Sequence, residues 1–162
     1  MNFNLVYLFQ AAGILVPSME AGAVLSISAQ SIPVLLSAPA DVGLAQFKYV
    51  YLLGKRTLPF IAAGNMLIQG CLAYWERPRS VLSSNLYLIS GSLSVLIPLY
   101  SVVFMGNTNG SLLAINPDIV LKSKEATDTF RKLLQKWSIM SLVRSALLCG
   151  SALSSFAGTF LF

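Results

Sequence analysis

Four long apolar runs, separated by charged residues and turn formers, constrain this chain more than any other feature. They extend over about 5–33, 57–75, 85–105 and 137–160 of the 162 residues. An α-helix needs about 20 apolar residues to cross a bilayer core about 30 Å thick, and each run is of that order. Only 10% of the residues are charged, against about 25% in a typical soluble domain. So few charges cannot cover a water-facing surface on a chain this short. The expected fold is all-α: an integral membrane four-helix bundle, forming one transmembrane domain over residues 1–162.

The first run carries Pro17 and Pro33. A straight helix from Leu5 to Leu36 would be roughly 48 Å long, so this segment is expected to kink or to leave the membrane near Pro33. It lacks a basic n-region and reads as a retained span rather than a cleaved signal peptide. The second run is entered by Lys55-Arg56 and left by Trp75-Glu76-Arg77-Pro78-Arg79, the charged and aromatic flanks that a membrane boundary selects. Between the third and fourth runs, Gly106 to Pro117 is rich in Asn and Gly and reads as a loop. Asp118 to Lys136 mixes charges with Phe130, Leu133 and Leu134, and reads as a short amphipathic surface helix before the fourth span.

Lys48, Lys55, Arg56, Lys122, Lys124, Arg131, Lys132 and Lys136 fall in the first and third loops, whereas Arg77 and Arg79 fall on the opposite side. The positive-inside rule then places the first and third loops in the cytoplasm. The expected location is the endoplasmic reticulum or another endomembrane, crossed several times. These cations flank apolar runs and form no patch with interleaved aromatics, so nucleic acid is not an expected partner. The expected partners are the bilayer, an apolar small molecule, and a second copy or a neighbouring pathway enzyme.

There is no histidine, and the two cysteines, Cys71 and Cys149, lie singly within apolar runs. Neither a zinc cluster nor a histidine–carboxylate iron site can be assembled from this set, and no cofactor is expected. Three polar features need a reason at membrane depth. Glu20 lies midway along the first run, where an ionised carboxylate is costly unless paired or wetted. Arg144 lies seven residues after Trp137, and Trp137, Ser141 and Arg144 share one helix face. Arg144 can snorkel to the headgroups, or pair with Glu20 inside the bundle, and the sequence leaves both open. The third feature is the end of the third run, where Pro98, Tyr100, Ser101 and Met105 precede Asn107 and Asn109. It reads as a capped helix end followed by a turn or as a polar site, and Asn65 adds an amide inside the second run.

In order and spacing these residues resemble the anthrone oxygenases, a family of small four-span membrane proteins. The resemblance rests on Ala21-Gly22-Ala23 with Ser26 and Pro33; on Tyr51, Gly54 and Pro59; on Pro98-Leu99-Tyr100-Ser101 with Met105, Asn107-Thr108-Asn109 and Leu112; and on Trp137 with Arg144. It implies a cofactor-independent monooxygenase of fungal-type secondary metabolism, using molecular oxygen to convert an anthrone to an anthraquinone. On that reading Arg144, Asn107 and Asn109 hold the oxyanion, while Tyr100 is a candidate, with Glu20 and Arg144, for acid or acceptor in a reaction of proton transfer alone. Trp137, Ser141, Ser101, Met105 and Asn65 bind the apolar polyketide. Glu20, the candidate base, rests on burial physics and not on the resemblance. The chain departs from the pattern at Ser141, where an imidazole or amide is frequent. Non-oxidative cyclisation or isomerisation on the same fold is therefore the alternative, followed by a non-catalytic scaffold subunit.

Overall fold

The computed structural model describes residues 3–161, which are helical almost throughout. In chain order the elements are α1 (Phe3–Ser26), a π-helical turn (Ile27–Ser31), α2 (Ile32–Ser37), α3 (Ala40–Glu76), α4 (Val81–Val103), α5 (Gly106–Ala114), α6 (Pro117–Lys122) and α7 (Lys124–Phe160). Four segments are long and apolar enough to cross a membrane: Leu5–Ser37, Ala40–Glu76, Val81–Val103 and Lys124–Phe160. They close a ring in which α1 packs on α7, α7 on α4, α4 on α3 and α3 on α1. Large apolar side chains such as Met19, Leu67, Val103 and Leu153 point outward, a surface that lipid accommodates and water does not.

Prolines determine where the first segment deforms. Pro33 has no N–H, and its ring would clash with the carbonyl four residues back. The chain widens into a π turn just before it, and the Ile32 amide donates to Ile27 O instead of to Ser28 O. With Pro33 unable to donate as well, the Ser28 carbonyl is left open, and Ser138 Oγ on α7 donates to it at 3.1 Å. Pro17 causes no break; it leaves the Gly13 carbonyl without its helical donor, and Gln69 Nε2 on α3 supplies one at 2.8 Å. These side-chain donors satisfy backbone groups that hydrocarbon could not. They also tie the π turn to α7 and α1 to α3.

The segments on either side of the first and third loops differ from the sequence expectation. α3 and α7 each have 37 residues, about 56 Å, nearly twice the thickness of a bilayer core. The excess lies at their N-terminal ends, where α2, α5 and α6 join them in a helical head. The amphipathic segment before the fourth span is helical as expected, but most of it is the start of α7. Its apolar side chains, Phe130 and Leu134, pack with Leu44, Phe47, Met105, Leu112 and Val120, not against a lipid surface. Gly106 to Ala114, expected as loop, is the helix α5, because burial of Thr108, Asn109 and Leu112 outweighs the turn preference of Asn and Gly. Gly43 allows α2 to close on α3, since a Cβ there would lie 2.7 Å from Leu35 O.

Below the head the bundle interior is polar as well as small. Asn65 Nδ2 donates to Ser94 Oγ at 2.7 Å, Ser94 and Ser151 hydroxyls pair at 3.0 Å, and Ser151 Oγ donates to Ser90 O at 2.9 Å. These serines bond α3, α4 and α7 to one another. At the far end Val6, Leu72, Ala73 and Tyr87 form a separate apolar cluster.

Candidate functional site

A cavity of about 440 Å³ lies where the bundle meets the head, within the range of about 300–1,000 Å³ usual for small-molecule sites. α3 contributes Tyr51, Gly54, Lys55, Leu58 and Pro59; α4 contributes Ile97, Pro98, Ser101 and Val102; α5 contributes Asn109 and Leu113. Val24 and Ile27 of the first segment and Trp137 and Arg144 of α7 complete the lining. Most of this lining is apolar, with two cations and no carboxylate.

Arg144 dominates the electrostatics. It is 8% exposed, and among the described residues no carboxylate lies within ion-pair distance of it. Its Nη2 donates to Ser141 Oγ at 2.7 Å and its Nη1 to Ser101 Oγ at 3.4 Å, while Nε is buried without a partner. The guanidinium lies over the Trp137 ring at 5.3 Å from its centroid, a cation–π contact strengthened by the exclusion of water. The α-helical steps of four and three put Trp137, Ser141 and Arg144 on one line, as the sequence spacing requires. A buried guanidinium held only by neutral groups has capacity left for an anion.

Trp137 orders the second donor. Its indole Nε1 can only donate, and it donates to Asn109 Oδ1 at 3.0 Å. That fixes the orientation of the amide and leaves the Asn109 Nδ2 hydrogens for a ligand. Phe47 meets Trp137 edge-on, with centroids 5.3 Å apart, and so holds the indole from the head side. Asn109 reaches this position because α5 is a helix; in an open turn it would not be fixed.

The sequence candidates separate accordingly. Arg144, Asn109, Trp137 and Ser101 line the cavity, and Ser141 stands behind Arg144 as its anchor. Tyr100 is half-buried, stacks on Phe104 with centroids 5.1 Å apart, and lies within electrostatic range of Arg144 without lining the cavity. Met105 is wholly buried in the core of the head, Asn107 is exposed, and Asn65 belongs to the serine layer deeper in the bundle. Glu20 is buried with Oε2 unpartnered, one helical turn along α1 from the cavity residue Val24. Pairing between Glu20 and Arg144, left open by the sequence, is not what forms.

Lys55 entered the sequence reading as a charge for topology, and Tyr51 only as a position of the resemblance. Both line the cavity. The signal for them was the four-residue spacing of Tyr51, Lys55 and Pro59, which puts all three on one face of α3.

Fold and site together define an all-α bundle with four membrane-length helices and a cationic, apolar-walled cavity at one end. A family profile described as anthrone oxygenase matches residues 47–154, which span Tyr51, Asn109, Trp137 and Arg144. The chain belongs to the anthrone oxygenase family. Anthrone oxygenase AgnL2 of Paecilomyces divaricatus is 26% identical to it over 155 residues, covering 93% of this chain and 94% of that protein. No solved structure matches the chain.

Proposed function

We propose that the protein is a membrane-embedded, cofactor-independent oxygenase of secondary metabolism that oxidises an anthrone-like polyketide with molecular oxygen. The observation that carries this reading is the buried Arg144, without a carboxylate partner, facing an apolar cavity large enough for a flat polycyclic ligand. Such a cation favours the enolate of a carbon acid over the neutral ketone, and Asn109 Nδ2 adds a hydrogen bond to the same oxygen. The enolate is itself the reductant. Loss of a proton from the ring methylene gives the carbanion, which adds oxygen to form a hydroperoxide once a proton returns. Loss of the second C–H proton with cleavage of the O–O bond leaves a carbonyl and water.

In this scheme Glu20 is the proton acceptor, since it is buried, unpartnered and one turn from the cavity wall. Tyr51 and Trp137 provide aromatic surface for the ligand. The protein works in an endomembrane with its helical head on the cytoplasmic side.

The test is incubation of purified protein with a hydroxylated anthrone under isotopically labelled oxygen. Label in the new carbonyl, lost in Arg144→Met, is the expected result; full turnover without oxygen would overturn the oxygenase. Ser141 favours one second reading. It occupies a position where the family pattern often carries an imidazole, and here it only anchors Arg144. Proton transfer alone, as in cyclisation or isomerisation, would then be the reaction, and anaerobic turnover its signature.

A further inference from the structure

Lys55 is the second cation of the cavity, and the proposed reaction does not use it. Two turns earlier on α3, Lys48 is committed: its Nζ donates to Ile115 O at 2.9 Å and ties the head to α3. Lys55 is exposed and has no hydrogen-bond or ion-pair partner among the described residues, yet it lines the cavity. Pro59, four residues on, cannot donate to the Lys55 carbonyl, so the backbone is also polar at this point of the wall. The cavity therefore presents one cation deep inside and another at the rim. No acidic residue among its lining competes for either.

We infer that Lys55 is a specificity-determining residue that pairs with an acidic substituent of the substrate, a ring carboxylate, while Arg144 holds the enolate oxygen. This rests on the oxygenase reading for the role of Arg144 and adds the substrate class: an anthrone carboxylic acid, bound with its acid group toward the head. The aromatic body then spans the apolar wall of Leu58, Ile97 and Val102. An ammonium on a flexible stem suits this task, because it can follow the ligand to the rim and remain hydrated until it arrives.

The experiment is a binding titration of the intact protein in nanodiscs, read by quenching of tryptophan fluorescence under anaerobic conditions so that no turnover interferes. The probes are a hydroxylated anthrone and the same anthrone bearing a ring carboxylate. Wild type should prefer the acid. Lys55→Met should shrink that preference by roughly fivefold, the scale of a partly exposed ion pair, and Lys55→Arg should retain it. An equal loss for both probes, or an unchanged preference in Lys55→Met, overturns the inference and leaves the Arg144 reading intact. Absence of binding of either probe to wild type overturns both.

Discussion

Arg144 donates to Ser141 Oγ at 2.7 Å, one turn back along the same helix, so the cation is held by its own helix and not by an opposing charge. The pair keeps its positive charge, and the cavity is where an anion can meet it. Removing the charge should therefore separate activity from stability. Arg144→Met is expected to lower kcat about 10²–10³-fold, as for loss of an oxyanion donor. It should leave the melting temperature unchanged or higher, because a buried uncompensated cation opposes folding. Turnover assays beside thermal unfolding in detergent check this; a large loss of stability would mean that Arg144 is structural.

Ser141→Ala removes the anchor without touching the cavity lining. The guanidinium then loses a charge-assisted bond of about 1.5–3 kcal/mol, and kcat should fall while the protein still folds. Ser141→Asn, which restores an acceptor, should recover part of the rate. Equal rates in all three proteins would show that the orientation of Arg144 is set elsewhere.

Asn109 has two ends with different duties, and two substitutions separate them. Asn109→Leu leaves the buried Trp137 N–H without an acceptor, a loss of about 1–3 kcal/mol of stability. Asn109→Asp keeps that acceptor but replaces the Nδ2 donors with negative charge beside the proposed oxyanion. It should fold as well as wild type and turn over far more slowly, measured as kcat with unfolding as the control.

Glu20→Gln tests the proton acceptor apart from the oxygen chemistry. Under anaerobic conditions in deuterated buffer, the protein should catalyse exchange at the ring methylene of a bound anthrone, followed by nuclear magnetic resonance. The substitution should slow that exchange by about 10²–10⁴-fold, the usual contribution of a general base. Unchanged exchange would remove Glu20 from the mechanism and leave the cavity otherwise as described.

The bond from Gln69 to the carbonyl that Pro17 leaves open predicts a rescue. Gln69→Leu leaves Gly13 O unsatisfied in the bundle and should destabilise the protein by about 1–3 kcal/mol. Adding Pro17→Ala restores a backbone donor for that carbonyl, so the double variant should be more stable than Gln69→Leu alone. Additive losses in unfolding experiments would disprove the compensation.

Much of the plan was legible in the residues because lipid leaves so few options. Long apolar runs must be helices, and a proline within one must be repaired by a neighbour. The common face of Trp137, Ser141 and Arg144 follows from helix periodicity, and the structure keeps it. Gly106 to Ala114 is a helix despite its loop-like composition because turn propensity is local, whereas Leu112, Thr108 and Asn109 bury against partners far away in the chain. The amphipathic stretch before the fourth span departs from the expected surface helix for a related reason. An apolar stripe on a helix is the same whether it meets lipid or protein, and here it meets Leu44 and Phe47 of α3.

The sequence by itself determined an all-α bundle with four membrane-length helices, the polar residues that hydrocarbon must account for, and the family pattern. Those properties are periodic or compositional, and they survive without knowledge of which helices touch. Only the tertiary structure decided which polar groups share a space. It separated Glu20 from Arg144, withdrew Asn107, Met105 and Asn65 from the cavity, and brought in Tyr51 and Lys55 from a helix that continues beyond its apolar run. The reason is physical: burial and hydrogen-bond partners depend on the register between helices, and register is a property of packing that no single helix carries.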